Sequence, residues 1–395
     1  MPVQKISIEQ FLTLSHEHPV LDVRSPGEYK HAHIPHAYSL PLFSDEERKA
    51  VGTAYKQQSR EEAIKIGLDF FGVKMKKMVE EVEGMVGSRQ LAIGKEKSVK
   101  SELRTANYVL LHCWRGGMRS AAVAWLLDLY GFKVHLLVGG YKAYRKWALA
   151  QFEKEYNFNI IGGFTGSGKT LLLHELKKQG QTIIDLEALA CHKGSAFGAL
   201  GEKEQPRQEM FENLLAAELN NATENLKDTG YLIPDKSFRE RTSEIDRVVS
   251  STQYPASGIW LEDESQRIGN LQLPMPLWYT MRKSPVCFLD IPFNERLEYI
   301  TAEYGKFEKE TLVNAIIRIQ KRLGGLETKN AINHLLENEH KNCFRILLAY
   351  YDKWYTKGLY NRENIEVLLN KIPCKGVDTK TNTQKLLTCN FVSTS

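Results

Sequence analysis

The chain reads as an α/β protein: two consecutive parallel-sheet domains, the second ending in a helical C-terminal part. Three observations predict this. Short apolar runs alternate with longer helical patterns from about residue 19 to about residue 300, as crossover-connected parallel strands require. Two glycine-rich turns, at 112–120 and 163–170, each stand between an apolar run and a helical pattern. The length of 395 residues leaves room for two or three domains.

Composition narrows the functional classes. Apolar content of 42% supports real cores, and a net charge of +5 permits an anionic partner such as RNA without demanding one. The six cysteines show neither CxxC nor Cys/His metal spacing, so neither a disulfide framework nor a zinc site is indicated. The N-terminus lacks a signal-peptide core and no apolar run reaches membrane-spanning length, so the expected setting is reducing and cytoplasmic.

In chain order, residues 19–24 form a short apolar strand, and Ser25 and Pro26 read as N-cap and first position of a helix. The cluster His31, His33 and His36 has no acidic or Cys partner nearby and reads as structural rather than metal-binding. Residues 44–87 are helical in character, and 87–107 are polar and Lys-rich, a surface loop. Residues 107–111 read as a buried strand, 121–129 as a helix, and 133–138 as a strand turned by Gly139-Gly140 into a helix over 141–155. The first domain is thus expected over 1–155, with a helical insert at about 44–106.

The turn between the buried strand and the helix is His112-Cys113-Trp114-Arg115-Gly116-Gly117-Met118-Arg119-Ser120. Gly116 and Gly117 let its backbone N–H groups point inward as an anion-binding nest. The following helix N-terminus, Arg115 and Arg119 add positive potential, so Cys113 is expected to be a thiolate at neutral pH. Cysteine-dependent phosphatases and rhodanese-type sulfurtransferases both use such a cradle, and the loop alone does not choose between them. Trp114 can stack on a base or anchor the packing.

The second turn follows the apolar Asn159-Ile160-Ile161. Gly163-x4-Gly168-Lys169-Thr170, with Gly166 and Ser167 between, is a P-loop leading into a helix over 171–179. Its amides and Lys169 would hold phosphate oxygens, and Thr170, with Asp185, could meet a magnesium ion. Asp185, Asp235 and Asp290 end later apolar runs, but none forms the Asp-Glu ending of a magnesium-ATP site, so ATP hydrolysis is not expected. This domain is expected over 156–372. Residues 308–356 read as mostly helical with a break at Gly324-Gly325, 364–369 as a last strand, and 373–395 as a polar, mobile tail.

Two resemblances follow from these motifs. Leu21-Asp22-Val23-Arg24-Ser25-Pro26-Gly27-Glu28-Tyr29, His33-Ile34-Pro35-His36-Ala37 and the Cys113 loop together resemble a rhodanese domain, in which Asp22 and Arg24 brace the active-site loop. Over most of its length the chain also resembles the tRNA 2-selenouridine synthase family. Beyond the two loops the similarity includes Gly52-Thr53-Ala54-Tyr55-Lys56, Asp185-Leu186-Glu187, 192–198, Gln205-Pro206, and Glu262-Asp263-Glu264-Ser265 with Arg267-Ile268-Gly269. That resemblance implies an enzyme acting on wobble 2-thiouridine in a tRNA anticodon loop. It implies geranyl diphosphate, then selenophosphate, as co-substrates, with Cys113 as the chalcogen-handling thiolate receiving selenium. It also implies His192, Lys193 and Arg267 as phosphate or RNA contacts, and is compatible with a selenophosphate-supplying enzyme as partner. The alternative is a rhodanese-like sulfurtransferase or Cys-dependent phosphatase coupled to a nucleotide-binding domain.

Overall fold

The computed structural model describes residues 3–92, 107–228 and 258–389. It divides into two compact units, Met1–Ala150 and Gln151–Ser395.

The first unit is built from β1 (Gln4–Ile6), α1 (Ile8–Ser15), β2 (Val20–Asp22), α2 (Pro26–His31), β3 (Tyr38–Ser39), α3 (Asp45–Gln57), α4 (Arg60–Gly72), α5 (Met75–Ala92), β4 (Tyr108–His112), α6 (Met118–Tyr130), β5 (Lys133–Leu137) and α7 (Gly140–Gln151). The strands form one five-stranded sheet in the order β1-β5-β4-β2-β3, every pair parallel. β4 is central and almost wholly buried, which explains its continuous apolar reading. Ser25 caps α2 with Pro26 at its first position, as the sequence predicts. The insert is part of the core. Phe71, Met78, Val79 and Val82 from α4 and α5 pack into the same cluster as Leu21, Val109 and Leu111 on the sheet and Leu127 on α6. Its start obeys capping chemistry, since the Ser44 hydroxyl accepts from Glu47 N–H while Glu47 accepts from Ser44 N–H. The start of the surface loop expected from residue 87 is helical instead, because α5 continues to Ala92; the rest of it, to residue 106, lies outside the described residues.

The second unit contains β6 (Phe158–Gly163), α8 (Lys169–Lys178), α9 (Leu186–Ala190), α10 (Gln208–Asp228), β7 (Ile259–Glu262), β8 (Arg267–Ile268), β9 (Leu271–Gln272), α11 (Met275–Arg282), β10 (Val286–Asp290), α12 (Phe293–Tyr304), α13 (Lys309–Leu323), α14 (Gly325–Leu336), α15 (His340–Leu359), α16 (Ile365–Leu368), β11 (Leu369–Pro373) and α17 (Thr379–Leu387). Its parallel sheet runs β11-β10-β6-β7, with β8 and β9 as a separate antiparallel pair. The helical stretch breaks at Gly324, as expected, and again at 337–339.

Three expectations need correction. The last strand is β11, and most of 364–369 is instead the short helix α16. The run 182–184 contributes only a parallel bridge, Ile183 to Trp260. The polar end of the chain is not a mobile tail throughout. Asp378 caps α17, which buries Leu386 against the cluster of Leu172, Leu173 and Leu176. Asn382 and Thr383 are buried with Leu386, while Lys380, Thr381 and Gln384 face solvent, so the polar run is an amphipathic helix. Beyond it Cys389 pairs with Cys287 of β10 in a disulfide that no spacing signal marks. The strand read before Asp235 lies outside the described residues.

Candidate active site

The first unit's site grows from the C-terminal end of β4. Cys113 follows the strand directly and is 3% exposed. Burial pushes its thiol upward, but the Ser120 hydroxyl, 3.1 Å from Sγ, and the N–H groups of Arg115, Ser120 and Gly117 donate to the sulfur and bring it below its ordinary value. The nest read from the glycines therefore closes on the Cys113 sulfur itself. Gly116 has φ +67°, and a Cβ there would lie 2.7 Å from the Leu137 carbonyl oxygen. The start of α7 locks the loop from the other side. Tyr141 N–H donates to the Cys113 carbonyl at 2.8 Å and Lys142 N–H to that of Trp114 at 3.0 Å.

Beneath the loop, Asp22 and Arg24 form a buried pair, with Arg24 Nη2 2.6 Å from Asp22 Oδ2 and 2.7 Å from the Ala32 carbonyl oxygen. The Arg24 guanidinium lies 3.8 Å from the Tyr141 ring centroid. Burial favours a neutral Asp22, yet His112 and Arg24 outweigh it and hold the carboxyl below its usual value. Burial also lowers His112, whose Nε2 is 3.8 Å from Asp22 Oδ2.

The two arginines of the loop differ. Arg119 Nη1 lies 2.8 Å from Glu28 Oε2, and Arg48 Nε lies 2.9 Å from the same oxygen. Arg119 is thus charge-matched rather than donating into the nest. Arg115 is exposed. Trp114 is 37% exposed and packs 5.7 Å from Tyr141, so it has both a buried and a free face.

In the second unit, Gly163 ends β6, Gly166, Ser167 and Gly168 make the turn, and Lys169 and Thr170 open α8. Lys169 Nζ donates to the Gly163 carbonyl at 3.1 Å, inside the loop. The Tyr355 hydroxyl accepts from Gly163 N–H at 3.1 Å and donates to Asp263 at 2.6 Å. Arg296, 2% exposed, supports the loop by donating to the Thr165 carbonyl at 3.0 Å while paired with Asp352 at 2.7 Å.

Thr170 Oγ1 is 3.0 Å from Glu187 Oε2. Carboxylate oxygens of Glu187, Glu262 and Glu264 all lie within 4.8 Å of one another. Both Glu262 oxygens are buried without a hydrogen-bond partner. Burial, reinforced by Glu187 and Asp185, pushes Glu262 to about 8. Burial and the same crowding raise Glu264 and Glu187, with Lys169 opposing. Asp185, the carboxylate expected beside Thr170, instead caps α9 through Ala188 N–H at 2.8 Å and bonds His174 at 2.7 Å. Glu262, in the sequence only part of a resemblance motif, carries a local signal for this role: the apolar Ile259-Trp260-Leu261 runs straight into Glu262-Asp263-Glu264.

The remaining candidates are dispersed in role. Lys193 lies 3.5 Å from Glu202 and 3.8 Å from Glu303. His192 is nearly buried and lowered by burial, and exposed Arg267 donates to the Gly269 carbonyl at 2.9 Å. His33 stacks on Tyr29 at 3.9 Å, and among the described residues the histidines at 31–36 form no chelating group. No described helix is long and apolar enough to cross a membrane.

A cysteine sulfur held by converging amides at the end of a parallel strand, in one chain with a P-loop, defines a rhodanese-like domain followed by a P-loop domain. Comparison with known proteins agrees: the rhodanese-like domain model matches residues 7–146, and the model for the tRNA 2-selenouridine synthase AAA domain matches 156–239 and 243–371. The chain is similar to the tRNA 2-selenouridine synthase of Bdellovibrio bacteriovorus, at 31% identity over 93% of this chain and 96% of that one. It is likewise similar to those of Sulfurovum sp., at 31% over 87% and 88%, and Hydrogenovibrio crunogenus, at 33% over 87% and 90%. The chain belongs to the tRNA 2-selenouridine synthase family and is an enzyme of tRNA modification.

Proposed function

We propose that this enzyme converts wobble 2-thiouridine in tRNA to 2-selenouridine through an S-geranyl intermediate, using geranyl diphosphate and then selenophosphate. The observation that carries the reading is the Cys113 thiolate gripped by three backbone amides and Ser120 in the same chain as a P-loop. Unpaired anticodon bases can be splayed into a site, with phosphate contacts supplying affinity.

In the first step the base sulfur attacks the geranyl C1. A carbon–sulfur bond forms, the carbon–oxygen bond breaks, and diphosphate departs. Lys169 and the loop amides suit that departing charge. The residues present fit a divalent cation, because the Glu262 oxygens are buried and unpartnered beside Glu187, Glu264 and the Thr170 hydroxyl. Magnesium held there would neutralise diphosphate oxygens; ATP hydrolysis is no part of the reading.

In the second step selenium attacks C2 of the base, the carbon–selenium bond forms, and geranylthiol leaves. Electron counting then constrains the role of Cys113. Passing selenium to sulfur as a perselenide would leave phosphorus reduced to phosphite. Attack by the thiolate on phosphorus of the Se-phosphoryl base releases the 2-selenouridine selenolate instead, and water returns phosphate and free Cys113. Selenophosphate itself must come from an enzyme that makes it.

The test is mass spectrometry of the wobble nucleoside after 2-thiouridine tRNA meets geranyl diphosphate and then selenophosphate. Successive geranyl and selenium masses are expected. Cys113-dependent hydrolysis of p-nitrophenyl phosphate with tRNA unchanged would establish the phosphatase reading in its place.

A further inference from the structure

A cavity of about 720 Å³ lies between the insert helices and the Cys113 loop, wholly within the first unit. Its walls are hydrocarbon: Val51, Ile64, Leu68 and Phe71 on α3 and α4 face Met118 and Ala122 on α6. Cys113 lines the same cavity. Leu68 and Met118 are 56% and 50% exposed, so large apolar side chains stand open to water at this site. The size falls within the range of small-molecule pockets.

The motif Gly52-Thr53-Ala54-Tyr55-Lys56 finds its place here. Gly52, Thr53, Tyr55 and Lys56 line the cavity, while Ala54 turns into the core at 3% exposure. Glycine weakens a helix interior, yet Gly52 sits inside α3, and a Cβ there would meet nothing within 4 Å. No protein neighbour requires a glycine at this position. What it leaves is room. Lys49, Lys56 and Arg115 complete the lining, beside Arg48 and Arg119, which are already paired with Glu28. The cavity thus suits a ligand with an aliphatic body and an anionic or reacting end beside the thiol.

We infer that this cavity seats the geranyl chain of the S-alkylated base during the selenium step, an inference that rests on the function proposed above. The chain anchors the alkylated sulfur, and so the base C2, next to the Cys113 cradle. It also fills the apolar space that would otherwise hold water able to hydrolyse C2. When the C2–S bond breaks, geranylthiol is left in the cavity, and its exit frees the site. The helical insert is thereby a substrate-binding element.

The test compares wild type with Gly52→Leu, a change that improves helix propensity and projects a side chain into the cavity. Selenophosphate-dependent turnover is measured on S-geranyl-2-thiouridine tRNA and on S-methyl-2-thiouridine tRNA. The geranyl-to-methyl ratio of kcat/KM should fall on the order of 100-fold in the variant, as for blocking an alkyl pocket. An unchanged ratio, with wild type active on the geranyl substrate, overturns the cavity assignment and leaves the proposed function standing. Should wild type fail to convert S-geranyl tRNA, the function reading fails instead. Calorimetric titration with geranylthiol then decides the cavity alone: binding lost in Gly52→Leu supports it, and equal binding in both proteins overturns it.

Discussion

A Cβ at Gly140 would lie 2.3 Å from the carbonyl oxygen of Cys113. The start of α7 therefore touches the Cys113 loop through bare backbone, and the Tyr141 and Lys142 amides reach the Cys113 and Trp114 carbonyls only because of it. The position of Cys113 is set by a residue beyond the next helix and strand of the chain. Gly140 also has φ +57°. Gly140→Ala should cost roughly 2 kcal/mol or more, combining left-handed strain with the clash. It should also slow Cys113 alkylation by iodoacetamide at neutral pH, because the cradle loses its register. Urea unfolding and the alkylation rate check the two halves of this expectation separately.

The hydrogen bond from Ser120 to Cys113 makes a second expectation. A donor to the thiolate favours the ionised form, so removing it raises the thiol pKa. Losing one hydrogen bond to a charged acceptor is worth about 1.5–3 kcal/mol, which moves the midpoint up by roughly one pH unit or more. In wild type the pH profile of alkylation should have its midpoint below that of an ordinary thiol. Ser120→Ala should move the midpoint upward while circular dichroism stays the same. A midpoint that does not move would leave the backbone amides alone responsible for the thiolate.

Two variants should separate the two reactions. Cys113→Ser is expected to retain tRNA binding and geranyl transfer but yield no 2-selenouridine, with the S-geranyl nucleoside or its Se-phosphoryl successor accumulating. Lys169→Ala is expected to weaken geranyl transfer while selenium transfer to pre-geranylated tRNA persists. Nucleoside mass spectrometry reads both. Normal geranylation by Lys169→Ala would remove the diphosphate role from the P-loop.

How much of this was legible follows physical lines. Both loops were readable because their chemistry is local: a nucleophile, glycines and cations, or glycines with Lys169 and Thr170, compressed into eight or nine residues between a strand and a helix. The pairing of Asp22 with Arg24 was reachable only through resemblance, since a buried bidentate pair looks like surface polarity in sequence. The partner of Arg119 was hidden for a related reason. Its sequence position faces the nest, but Glu28, distant in sequence, claims its guanidinium. The carboxylate group was missed because Glu187 on α9 and the run Glu262-Asp263-Glu264 at the end of β7 come from separate segments, and that strand is only four residues long. The amphipathic α17 was hidden by a polar composition, since its buried face carries Asn382 and Thr383 beside Leu386.

The Glu262 carboxyl carries the last expectation. Burial first, then Glu187 and Asp185, pushes it to about 8, so at neutral pH the folded chain holds a proton there that the unfolded chain has lost. The folded state binds more protons than the unfolded one between the ordinary Glu value, about 4.3, and about 8. Stability from this group is complete below the lower value and declines as pH rises to the upper one. A divalent cation reverses the cost by taking the proton's place, so its binding should tighten with rising pH, by about tenfold per unit for each proton displaced. The rise in melting temperature caused by magnesium or manganese should therefore grow between roughly pH 6 and pH 8. Glu262→Gln, which keeps the shape and removes the charge, should flatten the pH dependence of unfolding and abolish the cation-induced rise. A variant that is still stabilised by the cation as wild type is would move the metal away from Glu262.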